Sequence, residues 1–113
     1  MTVWRKGWRM RLKPGAEAAY DRAHADIWPD LVEGMRKGGV MNFAIFRDGL
    51  DVFACQTRSS PLPDEGAPVS DVALAWWREM EPLMVVTADG RPERIEMTEV
   101  FFLNDERGGA WQG

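Results

Sequence analysis

The chain is poor in the residues on which most reactive sites depend. Its 113 residues include one cysteine, one histidine and one tyrosine. A single cysteine excludes an internal disulfide and cannot build a thiolate metal site. Because Cys55 lies in an apolar, strand-like run, we expect a buried, inert thiol and not a nucleophile.

Long apolar runs and a surplus of basic residues are also absent. No run approaches the length of a membrane span, and the N-terminus lacks the continuous apolar region of a signal peptide. The formal net charge of -4 argues against nucleic acid, because phosphate binding needs a basic surface. We therefore expect a cytoplasmic protein that binds neither nucleic acid nor a membrane.

Bulky apolar side chains, in contrast, are abundant. The chain has six tryptophans, five phenylalanines and seven methionines, with 45% hydrophobic and 28% charged residues overall. This composition is typical of one globular domain, which we place at 1–104, followed by a flexible tail at 105–113. Because so small a domain leaves much of its surface exposed, part of the aromatic material is expected to meet a second copy in a homodimer.

Hydrophobic periodicity predicts seven elements in the order β-α-α-β-β-α-β. They are strands at 3–12, 41–46, 50–57 and 95–103, and helical segments at 16–28, 29–37 and 71–80. Pro29 separates the first two helical segments, because it lacks an amide hydrogen and restricts Trp28 before it. The order is that of a ferredoxin-like α+β fold with a split β-α-β arrangement, in which an antiparallel sheet carries its helices on one face.

The other face of this sheet has no helix to cover it. Three strand segments, 43–46, 52–55 and 100–103, nevertheless carry apolar residues on both faces. Strands of that kind are shielded on both sides. Two sheets that pack face to face in a homodimer satisfy this pattern.

The spacing of Tyr20 and His24 is the clearest sign of function. Residues four apart on a helix share a face, so a phenol and an imidazole reach the same volume. Such a pair is suited to acid/base chemistry near neutral pH. The alternative is that His24 only packs against its neighbours or faces solvent.

Trp76 and Trp77 form a second notable pair. Adjacent residues on a helix point about 100° apart, so the two indoles cannot both occupy one narrow core contact. Indole rings stack on the C–H faces of sugars, and a pocket of aromatic residues without a metal or phosphate device favours a neutral polyol. The alternative is that both tryptophans are core or interface residues.

Together these segments resemble the L-rhamnose mutarotase family. The resemblance runs in order from about residue 4 to residue 103. It rests on Tyr20 followed by His24-Ala-Asp-Ile-Trp-Pro-Asp-Leu31, on Gly39-Val-Met-Asn-Phe-Ala-Ile-Phe46, on Leu50-Asp-Val-Phe53, on Trp76-Trp77-Arg-Glu-Met80 with Met84, and on Glu99-Val-Phe-Phe-Leu103.

The resemblance implies a dimeric α+β barrel and an isomerase that interconverts the α and β anomers of L-rhamnose or a related deoxysugar. It implies that His24 is the proton donor and that four aromatic residues bind the pyranose. These are Tyr20, Phe43, Trp76 and Trp77. Neither a cofactor nor a metal is expected. Tyr20, Asp26 or a water is expected to assist at the C1 hydroxyl.

Phe43 departs from the family, whose members commonly carry a tyrosine there, and the loops at 47–49 and 87–92 also differ. These departures leave open an L-fucose mutarotase of the same family. A second alternative is a monooxygenase or haem-binding protein of the dimeric-barrel architecture, with His24 as an axial ligand. A third is a sugar-binding or regulatory dimer without catalysis.

Overall fold

A computed structural model describes residues 3–63 and 67–103 of the chain. Its elements follow the predicted order. They are β1 (Trp4–Arg11), α1 (Glu17–Ala25), α2 (Pro29–Lys37), β2 (Val40–Asp48), β3 (Asp51–Arg58), α3 (Asp71–Met80) and β4 (Ile95–Met97). The predicted tail at 105–113 lies outside the described residues.

The strands form one antiparallel sheet in the order β2-β3-β1-β4. The crossover that contains α1 and α2 therefore leads from β1 to the edge strand β2, and β3 pairs between these two strands. The β2–β3 hairpin closes in two residues, and Gly49 supplies the positive φ of 60° that this tight turn requires. The predicted ferredoxin-like α+β class is confirmed.

Alternating residues of the central strands build the core. On β3, Val52 and Ala54 are fully enclosed, and on β1 Trp8 points to the same face. Side chains from the helices and loops complete this core: Leu12, Ala16, Tyr20, Leu31, Trp76, Met80 and Met84. The alternation of side chains along β1 thus places Trp8 on the core face of the sheet.

Local sequence signals determine where the helices begin. Pro29 is the first residue of α2, and Trp28 before it is extended, with φ -64° and ψ 127°. The Ser70 hydroxyl accepts a hydrogen bond from the Ala73 amide at 3.2 Å and caps α3. The chain therefore turns sharply between α1 and α2, and this turn exposes the Trp28 ring to α3.

The last strand is shorter than the predicted 95–103, because β4 includes only Ile95–Met97. Its partner on β1 explains part of the difference. Gly7 pairs with Met97, so the same register reaches Trp4, the first residue of β1, at position 100, and residues 101–103 have no partner on β1. The Glu99 side chain binds Arg5, the β1 residue at the corresponding position of the register.

The uncovered face of the sheet is apolar and open in the single chain. Phe46 and Ile95 are 66% and 51% exposed, and the segment 100–103 is exposed throughout. Cys55 also lies on this face and is exposed. The prediction of a buried thiol is therefore wrong for the single chain. Cys55 lies on the face of β3 that points away from the helices.

Candidate active site

Helix α1 brings the phenol and the imidazole together, as their spacing predicts. The ring centroids of Tyr20 and His24 are 4.2 Å apart with an interplanar angle of 35°. Tyr20 lies in the core at 4% exposure, whereas His24 is half-buried. The imidazole thus has one ring face against a buried phenol and keeps access to solvent.

A hydrogen bond to the backbone determines which nitrogen of His24 is available for proton exchange. Nδ1 lies 2.9 Å from the carbonyl oxygen of Tyr20. Because a carbonyl only accepts, Nδ1 must carry a hydrogen and donate. Nε2 is then the basic nitrogen of the neutral ring, and it both takes up and releases the exchangeable proton. The contact also restrains the ring.

Trp76 forms a second wall beside His24. The two ring centroids are 5.3 Å apart and the rings meet edge to face at 84°. Trp76 is itself held by Trp28, whose ring meets it edge to face at 5.1 Å. The first contact joins α3 to α1, and the second joins α3 to the turn between α1 and α2.

Trp28 was not predicted as a site residue from the sequence. Its position before Pro29 indicated only a helix boundary. The signal was nevertheless present. Pro29 forces Trp28 out of helical geometry, so the indole projects from the end of the turn and not along the face of α1. We call Tyr20, His24, Trp28 and Trp76 the aromatic cluster.

The other predicted substrate residues make their ring contacts elsewhere. Phe43 on β2 meets Trp8 of β1 edge to face, with centroids 5.7 Å apart. The guanidinium of Arg91 lies 5.2 Å from the centre of the Trp77 ring. The ring contacts of Phe43 and Trp77 therefore lie outside the aromatic cluster. Asp26, considered as an assistant at the sugar, is exposed at the end of α1.

Electrostatics fix the charge state of two groups on α1. Burial, with a smaller effect from Asp21, raises the pKa of Tyr20 to about 12, so this phenol stays protonated at neutral pH. The Arg47 guanidinium binds the Asp21 carboxylate at 2.8 Å and lowers its pKa. That ion pair also joins α1 to β2. Tyr20 is therefore a hydrogen-bond donor and not a base.

The described residues include no group of three or more histidine, cysteine, aspartate or glutamate side chains that could hold a metal ion. Within the same residues, no helix is long and apolar enough to cross a membrane.

Comparisons with known proteins agree with one another. The family model described as L-rhamnose mutarotase matches residues 5–103. An L-rhamnose mutarotase of Phocaeicola vulgatus is 33% identical over 102 residues, covering 88% of this chain and 98% of that protein. One from Paraburkholderia phytofirmans is 38% identical over 98 residues, covering 85% and 92%.

A solved structure shares the fold as well. The crystal structure of an L-rhamnose mutarotase from Formosa agariphila superposes with a TM-score of 0.79 at 30% identity, covering 89% of this chain and 99% of that one. The fold and the relatives thus define a ferredoxin-like α+β enzyme of the mutarotase class, which is a class of isomerases. The chain belongs to the L-rhamnose mutarotase family, and the predicted resemblance is confirmed over the alternative readings.

Proposed function

We propose that this protein accelerates the exchange between the α and β anomers of L-rhamnose, with His24 as the proton donor. The observation that carries the proposal is the hydrogen bond from His24 Nδ1 to the Tyr20 carbonyl. It fixes the tautomer and leaves Nε2 as the single exchangeable nitrogen of the only histidine in the chain. The sugar is supported by the names of the relatives.

The reaction needs two proton movements and no change of oxidation state. The imidazolium form of His24, which carries a second proton on Nε2, donates that proton to the ring oxygen while a water takes the proton of the C1 hydroxyl. The bond between C1 and the ring oxygen breaks and C1 becomes a carbonyl. After rotation about the C1–C2 bond, the same steps run in reverse and close the ring on the other face. Both protons return, so the enzyme ends as it began.

The aromatic cluster supports this assignment. Indole faces and edges contact the C–H groups of a pyranose without demanding a charge. Tyr20, which stays protonated because its pKa is raised to about 12, donates a hydrogen bond to a sugar oxygen without competing for the proton. Phe43 and Trp77 complete the pocket at its margins.

The test is to measure anomer exchange across a panel of sugars. Saturation-transfer NMR reads the rate at which each anomer converts without a coupled enzyme. The expected result is strong acceleration for L-rhamnose, with smaller rates for L-fucose and for common aldoses. A larger rate for L-fucose would assign the other sugar within the family. Binding without acceleration for any sugar would leave only a sugar-binding dimer.

We propose also that two copies pack through the uncovered sheet face, which we call the outer face. Its support is the exposure of large apolar residues in the single chain, including Phe46 at 66% and Phe101 at 79%. Sedimentation at micromolar concentration is expected to give twice the chain mass. Phe46→Glu, which adds a charge to this face, is expected to give a folded monomer. Glu33→Gln on the exposed side of α2 is the control. A wild-type monomer would contradict the dimer.

A cytoplasmic location completes the proposal. An exposed free thiol at Cys55 fits a reducing compartment. The net charge of -4 fits the absence of a nucleic-acid partner. Fractionation of cells that produce the protein tests the location, and recovery in a membrane or secreted fraction would contradict it.

A further inference from the structure

Two polar residues lie buried on the core side of the central strand. On β3, Val52 and Ala54 are followed on the same face by Gln56 and Arg58, which are 6% and 7% exposed. Burial of an amide or a guanidinium is unfavourable unless its hydrogen bonds are satisfied. The hydrogen-bond partners of Gln56 and Arg58 therefore indicate the role of each side chain.

The burial of Arg58 is explained by the hydrogen bonds of its guanidinium to nearby groups. Its guanidinium donates to the Gly38 carbonyl at 2.6 Å, to the Ser60 carbonyl at 3.0 Å and to Gln56 Oε1 at 2.9 Å. Gly38 ends α2, so the cation also meets the negative end of that helix. Arg58 thus joins the end of α2 to the end of β3 and holds the Gln56 side chain.

The contact with Arg58 orients the Gln56 amide. A guanidinium has only donors, so the oxygen of the amide must face it and the NH₂ group must point away. No acceptor for this NH₂ group lies among residues 3–63 and 67–103. Among the described residues, the one fully buried side-chain nitrogen or oxygen without a partner is an oxygen of Glu17 and not the Gln56 nitrogen. Within the described part of the chain, two amide donors are therefore left for a ligand.

The sheet register shows which residues flank the Gln56 amide. Gln56 lies directly between Lys6 of β1 and Phe43 of β2, on one face of the sheet. Lys6 is bound to Glu96 of β4, on the side away from β3, so it is directed away from the amide. Phe43 offers only a ring, with its Cβ about 4.5–5.5 Å from that of its cross-strand partner. The free donors thus lie beside the substrate residue that lacks a hydroxyl.

We propose that Gln56 is a specificity-determining residue, whose amide donates a hydrogen bond to a pyranose oxygen beside Phe43. The inference rests on the proposed function, because it takes the space beside Phe43 as part of the sugar pocket. An uncharged donor suits a neutral sugar. Arg58 is the positioning residue, since it holds the amide in the donating orientation.

Gln56→Glu separates this role from a purely structural one. The substitution keeps the shape and the acceptor that Arg58 needs, and it removes both amide donors. The expected result is a KM for the preferred sugar raised about 3- to 10-fold, with kcat changed less than twofold and the melting temperature not lowered. If Gln56 serves only to satisfy Arg58, the carboxylate would serve as well and KM would stay at the wild-type value.

Three further variants sharpen the test. Thr57→Val, on the same strand but the opposite face, is the matched control and is expected to leave KM unchanged. Phe43→Tyr in the Gln56→Glu background is expected to recover most of the lost affinity, because it returns a hydroxyl to the same space. Gln56→Met removes the amide donors together with the acceptor for Arg58; it is measured should the acidic variant not fold, and an unchanged KM in it overturns the role of Gln56.

The two possible failures are distinguishable. A wild type that exchanges anomers, together with a Gln56→Glu variant of unchanged KM, overturns the role of Gln56 and leaves the proposed function intact. A wild type without anomer exchange on any sugar of the panel overturns the proposed function, and the role of Gln56 with it.

Discussion

Tyr20 offers a measurement that depends on a single side chain. It is the only tyrosine in the chain, so the ultraviolet absorbance of tyrosinate reports this residue alone. Burial at 4% exposure, aided by Asp21, raises its pKa from 10.0 to about 12. We expect the folded protein to show no tyrosinate at pH 10 and the denatured protein to be about half ionised there.

The same shift makes stability depend on pH. Because the folded pKa is raised, the unfolded chain loses its proton near pH 10 while the folded chain keeps it until about pH 12. The contribution is therefore complete below pH 10 and is lost as pH rises from 10 to 12. At about 1.4 kcal/mol per unit, the free energy of unfolding falls by about 3 kcal/mol over this range.

Tyr20→Phe is the matched control, because it keeps the ring and cannot ionise. Chemical denaturation of both proteins between pH 9 and pH 12 gives the difference directly. The wild type is expected to lose stability faster than the variant by about 3 kcal/mol. Parallel loss in both proteins, or a folded-state titration near pH 10, would refute the burial of this phenol beside His24.

Three other substitutions test separate parts of the account. Phe43→Tyr is expected to tighten sugar binding by about 0.5–1.5 kcal/mol, read by titration calorimetry, and an unchanged affinity across the sugar panel would remove position 43 from the pocket. Trp28→Leu removes the edge-to-face contact with Trp76, worth about 0.5–1.5 kcal/mol, and is expected to weaken sugar binding in a folded protein; unchanged binding would exclude it from the site. Ser70→Ala removes the cap of α3 and is expected to cost about 1 kcal/mol in denaturation, with exchange per folded molecule unchanged. A fully stable Ser70→Ala variant would contradict the cap.

Local signals were enough to predict the order and most boundaries of the elements. Pro29 separates two helices and Ser70 begins a third because each acts within a few residues of itself. The last strand could not be predicted from its own composition. The register with β1 reaches the first residue of that strand at position 100, so residues 101–103 have no partner there, which is a property of the pairing and not of the apolar run itself.

The site was predictable only in part for a similar reason. The contact between Tyr20 and His24 follows from helical spacing, a local rule. The contact of Trp28 with Trp76 joins two segments far apart in sequence, and no periodicity encodes it. The orientation of Gln56 depends likewise on Arg58, whose guanidinium is held by the Gly38 carbonyl at the distant end of α2.

The most direct test of the central claim is the rate of anomer exchange in His24→Asn. Asparagine keeps a polar side chain of similar reach but cannot take up a proton at neutral pH, so saturation-transfer NMR on L-rhamnose is expected to show a loss of about 10²–10⁴-fold. Arg22→Gln, at an exposed position of the same helix, is the control and is expected to keep the wild-type rate. Loss of a general acid leaves a far smaller residual rate than half of the wild-type rate. A folded His24→Asn variant that retains about half of that rate would therefore contradict the mechanism.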